Sequence, residues 1–133
     1  MKSIVCGAGV VGHSIAEKLS KVGTQPIIGS QINFKIDDTI GLLPLFALNE
    51  NGYKNIIELS SKSYLDNADT TEPYCNFDDL LKKSSGIIVL SGSIRCLMGN
   101  LYNKGLFIEI DDILSKLSKT FKDNFYIEIQ RHN

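Results

Sequence analysis

Met1-Lys-Ser-Ile-Val-Cys6 runs straight into Gly7-Ala-Gly9-Val-Val-Gly12, and the next short apolar run comes at Gln25-Pro-Ile-Ile-Gly29. The first segment is of strand type. From Val10 the period changes: Val11, Ile15, Ala16 and Leu19 share one helical face, with Glu17, Lys18 and Lys21 opposite. Val22-Gly23 ends that helix, and Pro26 stands at the start of the second strand, where no ladder donor is lost. Strand, helix and strand in this short space form a parallel β-α-β unit, which predicts an α/β fold.

Working outward, the alternation continues. Ile32-Asn-Phe-Lys-Ile36 has the period of a half-exposed strand, Asp37-Asp38 reads as a turn, and Ile40 to Leu48 reads as a buried strand in which Pro44 marks an edge or a bulge. Asn49 or Asn51 can cap a helix carrying Tyr53, Ile56, Ile57 and Tyr64 on its apolar face. Residues 65–76 are polar and aperiodic, a long surface loop. Asn76 is expected to cap a short helix over 77–84, with Asp78 and Asp79 favouring its dipole. Gly86 to Leu90 follows as a buried strand, then a helical piece over 95–102 and a break at Gly105. Ile110, Ile113, Leu114, Leu117 and Phe121 mark an amphipathic helix, and Phe125 to Ile129 a last strand. Glu109, Asp111 and Asp112 read as that helix's acidic start. Tyr53, Phe121, Phe125 and Tyr126 read as core aromatics rather than a base-stacking platform.

The 133 residues suit a single α/β domain over 1–133, with 43% hydrophobic residues available for one core. Fourteen basic residues against fifteen acidic ones exclude a generic electrostatic nucleic-acid binder. No apolar run approaches the roughly 18 residues of a membrane span, and no leader pattern opens the chain. Cys6, Cys75 and Cys96 form no CxxC pair and are odd in number, so neither a disulfide framework nor a zinc knuckle is implied. The expectation is a soluble, cytoplasmic protein.

Gly7, Gly9 and Gly12 lie where a dinucleotide site needs them, between a strand and the helix it opens. The helix start would then hold a pyrophosphate on its free amides. The acidic residue that binds a ribose is missing, because Ser30 and Gln31 stand at the end of the second strand. Residues 1–21 resemble the start of the TrkA family of potassium-uptake regulators, which implies a Rossmann-like β-α opening over 1–23 and NAD(H) as the cofactor of an alternative, nucleotide-sensing reading.

From Gln25 onward a different family is resembled. Gln25-Pro-Ile-Ile-Gly29, Phe46-Ala-Leu-Asn-Glu-Asn-Gly-Tyr-Lys-Asn55, Gly86-Ile-Ile-Val-Leu-Ser-Gly92 and Asn124-Phe-Tyr-Ile-Glu-Ile-Gln-Arg-His132 stand in the order found in the PHP domain of the bacterial DNA polymerase III alpha subunit. The resemblance covers 24–133 and implies an incomplete PHP-type β/α barrel with a parallel-rich sheet. It also implies that family metal-ligand positions fall at Gln31, Leu42 and Ser93, where neutral or apolar residues make poor divalent ligands. Glu128 and His132 are the family-motif residues that remain. The resemblance therefore implies a metal-free scaffold that needs no cofactor. Its partners would be the proofreading exonuclease subunit or other replisome proteins. The polymerase palm would follow the PHP domain, so the chain is expected to be a fragment that does not copy DNA unaided. An open sheet is expected to leave strand edges exposed.

Overall fold

The computed structural model describes residues 2–6, 17–18, 20–23, 25–67 and 70–130. At its centre is one long strand, β2 (Gln25–Ile36), twelve residues in length. It pairs in parallel with β1 (Lys2–Cys6) through its first half, Lys2 opposite Gln25 and Cys6 opposite Gly29. Beyond that it folds back on β3 (Thr39–Ala47) in an antiparallel ladder, from Gly29 opposite Phe46 to Ile36 opposite Thr39, with Asp37 and Asp38 as the turn. The strands read separately at 25–29 and 32–36 are thus one. Ser30 and Gln31 interrupt the apolar pattern but not the ladder, where they face Leu45 and Pro44.

After β3 comes α1 (Glu50–Leu65), whose N-cap Asn49 accepts a hydrogen bond from the Gly52 amide, 3.0 Å away. A loop leads to β4 (Cys75–Asn76), which pairs in parallel with β2 at Phe34 and Lys35, and on to α2 (Phe77–Lys82). Asn76 occupies the cap position of α2, yet its side chain makes no capping bond, contrary to the expectation. Strand β5 (Ile87–Leu90) lies antiparallel beside β3, and Pro44 falls just past the end of that ladder at Leu45 opposite Val89. Then follow α3 (Leu97–Asn103), α4 (Phe107–Phe121) and β6 (Phe125–Tyr126), which pairs in parallel with β5. The predicted strand over 125–129 is cut to two residues, because β5 ends at Leu90 and offers the later ones no ladder.

The α/β class is as expected. The sheet is mixed, ordered β1-β2-β3-β5-β6, with β4 on the free half of β2's edge. Alternation along the strands sorts their side chains. Ile32, Phe34, Leu43, Leu45, Ile87 and Val89 turn one way and are buried in a single core with Ile56 and Leu59 of α1, Leu80 of α2, Leu97 and Leu101 of α3, and Ile113 and Leu117 of α4. Helices α1 to α4 cover that face. Gln31, Asn33, Lys35, Leu42, Phe46, Ile88 and Leu90 turn the other way and are exposed or half-buried. Phe121 is in the core as predicted, but Tyr126 is 52% exposed, since it lies on the outer strand and on the face turned away from that core.

Candidate functional site at the end of strand β5

Where β5 ends, the chain turns through Ser91-Gly92-Ser93. Ser91 is buried and ties two segments together. Its amide donates to the Tyr126 carbonyl at 2.9 Å, and its Oγ accepts from the Glu128 amide at 2.9 Å. Gly92 has φ +76°, and a Cβ there would sit 2.6 Å from Cys96 Sγ and 3.3 Å from Pro44 Cδ. Only glycine allows the turn this conformation and this approach. Ser93 Oγ accepts from the Arg95 amide at 3.3 Å and lies 3.7 Å from Cys96 Sγ, at the start of α3.

Gly92, Ser93, Ile94, Glu128 and Gln130 line a shallow cleft of about 200 Å³. Ser93 and Glu128, far apart in sequence, are therefore brought together. Gln31 stands one strand over from Gly92, through its register partner Pro44, and its side chain is exposed. Leu42, half-buried, shares the Pro44 side of β3 and pairs with Asn33. The Glu128 carboxylate accepts from the Gln130 amide side chain. Gly7, Gly9, Gly12 and His132 lie outside the described residues. Sequence reasoning did not take Ser91 and Cys96 as site residues; Ser91 lies inside the Gly86 to Gly92 motif, and the short spacing to Cys96 after a strand is a signal for the second.

Among the described residues this cleft offers one carboxylate, one amide and one hydroxyl, without the histidine and cysteine ligands of a zinc site. Among the described residues no group of three or more His, Cys, Asp or Glu side chains could hold a metal ion. The side chains whose ionisation is displaced lie elsewhere. Burial pushes the Cys75 thiol up to about 11. The hydrogen bond and charge of Asp79 raise Lys62, and those of Asp112 raise Lys116. Among the described residues the cleft pairs no nucleophile with a base.

The profile of the PHP domain family matches residues 13–132. The DNA polymerase III subunit alpha of Caulobacter vibrioides is 36% identical over 123 residues, covering 83% of this chain and 10% of that protein. Its counterpart from Borreliella burgdorferi is 34% identical over 127 residues, 87% of this chain and 11% of the relative, and that of Escherichia coli 29% over 112 residues. The chain thus spans about a tenth of the length of the curated relatives it matches. A solved protein from Bifidobacterium adolescentis, proposed to be a metal-dependent phosphoesterase, matches 96% of this chain and 48% of its own at 16% identity and a TM-score of 0.29, a likeness that adds nothing to the assignment. The family match begins at residue 13, inside the segment assigned to a TrkA-like start, and nothing in these matches supports that alternative or its NAD(H).

Proposed function

The chain belongs to the PHP domain family, and we propose that it works as a metal-free scaffold of the replicative-polymerase kind, holding protein partners rather than turning over a substrate. The proofreading exonuclease subunit is the first partner proposed, with other replisome proteins next. The observation that carries this is the residue set at the end of β5. Gln31, Leu42 and Ser93 stand around Pro44 and Gly92, with Glu128 the one carboxylate in the cleft. An amide, an alkyl chain and a hydroxyl cannot replace the charged ligands that hold a divalent ion against water. No helix among the described residues is long and apolar enough to cross a membrane.

Calorimetric titration of the whole chain with the exonuclease subunit, in EDTA and again in zinc or manganese, tests both halves. Saturable binding of equal affinity in both buffers, with no metal-induced rise in the melting temperature, is the expected result. A metal-induced rise, or phosphoesterase activity that EDTA abolishes, would overturn the metal-free half. The absence of any exonuclease binding would overturn the scaffold half.

A further inference from the structure

The scaffold reading leaves open which surface takes a partner, and we propose that it is the end of the molecule formed by the β2–β3 turn and the start of α4, fitted to a partner segment that is basic with an apolar face. The inference rests on that reading and gives it a place and a chemistry.

Tyr102, Phe107 and Ile108 are 59%, 57% and 83% exposed. The two rings meet edge to face with centroids 5.5 Å apart, so α3 and α4 present one aromatic patch to solvent, not scattered side chains. Next to it, Asp37, Asp78 and Glu109 line a cleft of about 340 Å³. Asp37, Asp38 and Glu109 line an adjoining one of about 360 Å³, and the two share the wall made by Ile36, Asp37 and Glu109. Asp111 follows one helical turn after Phe107 and Ile108.

Among the described residues none of these five carboxylates has an ion-pair partner, whereas Glu17, Glu50, Glu58, Asp66 and Asp79 each hold a lysine. Three lysines line the clefts as well and keep their charge, Lys35 and Lys116 in the first and Lys104 in the second. Lys116 is held by Asp112 at 2.7 Å, Lys104 donates to the Asp38 carbonyl and to Thr39 Oγ1, and Lys35 lies over the Tyr74 ring at 5.2 Å. Asp37, Asp38, Asp78, Glu109 and Asp112 outnumber the three lysines and leave the clefts net acidic, and an apolar centre with such a rim is the complement of a lysine- or arginine-bearing segment with aliphatic or aromatic anchors. The same field repels nucleic acid and anionic membranes.

The probe is a fluorescein-labelled helical peptide of leucines on one face and lysines on the other, with a twin carrying glutamate for lysine, titrated by anisotropy. The lysine peptide is expected to bind about tenfold or more tightly than its twin. Ile108→Ser with Phe107→Ser, at exposed positions that leave the fold intact, should cost a similar factor. Asp37→Asn with Glu109→Gln should weaken binding and flatten its salt dependence. Glu72→Gln and Asp123→Asn, unpaired carboxylates away from the patch, should change nothing. Equal binding of both peptides, or amide resonance shifts centred on 127–130, would overturn the proposal. So would self-association that Ile108→Ser abolishes, since the occupant would then be a second copy. Exonuclease binding that survives the Phe107/Ile108 double variant removes this surface and keeps the scaffold; no exonuclease binding to the native chain removes the scaffold, while the peptide titration still judges the surface.

Discussion

Cys75 is 1% exposed, and its thiol donates to the Leu59 carbonyl at 3.0 Å. Burial first, and the Asp79 charge second, raise its pKa from 9.0 to about 11. The folded chain therefore holds this proton more tightly than the unfolded chain. That contribution is complete below about pH 9 and is lost as pH climbs toward about 11. Urea melts across this window should show stability falling by up to ~3 kcal/mol, and Cys75→Ala should flatten the fall. Gly52 is a second residue whose neighbours decide its identity. A Cβ added there would lie 1.7 Å from the Gly86 carbonyl oxygen. Alanine is the better helix former by about 1 kcal/mol, yet the clash dominates, so Gly52→Ala should lower the unfolding free energy measured by denaturant titration by a net ~3 kcal/mol. Neither contact was legible in the sequence, because both partners come from other elements. The candidate site was legible where a family motif named a residue, as at Gln31, Ser93 and Glu128. Ser91, whose hydroxyl receives the Glu128 amide, lay inside such a motif, but its tie to the distant Glu128 amide is made only by the fold.

Among the elements, the helices show which part of a local reading survives folding. Asn49 and Asn76 are the same residue type in the same role. Asn49 Oδ1 takes the Gly52 amide, while Asn76 makes no capping bond because it is also the last residue of β4, paired opposite Lys35. Asn49→Ala should therefore cost about 1 kcal/mol in a thermal melt, and Asn76→Ala close to nothing. Periodicity found α4 well, since the buried Ile113, Leu117 and Phe121 are positions the spacing marked, but in α1 it set Tyr64 on the apolar face, where it is 64% exposed, and passed over the buried Leu59. It failed where pairing, not composition, sets the length of a strand. Ser30 and Gln31 look like a break and are laddered; Ile127 and Ile129 look like strand and are not.

For the molecule as a whole, α1 to α4 pack on one side of a mixed sheet, and among the described residues its outer strands are left without a second neighbour. Among the described residues the sheet is open, β1 standing at one end of its order and β6 at the other. The β6 side is the more exposed in apolar terms, with Tyr126, Ile127 and Ile129 at 52%, 59% and 83%. Backbone donors and acceptors past Tyr126 have only the Ser91 hydroxyl as a described partner, through Glu128. A row of unpaired backbone groups beside exposed isoleucines is a template for adding a strand, and proteins that avoid this place charge on the edge. The chain carries Glu128 there, with its carboxylate bound to Gln130. Sedimentation should accordingly show association that grows with concentration, and Ile129→Lys should return the chain to a monomer without lowering its melting temperature. Ile108→Ser, at the far acidic end, should leave that association untouched. If the native chain stays monomeric and melts sharply over the whole concentration range, the β6 edge is not an adhesive one, and the sheet's stability rests on the one-sided helical core alone.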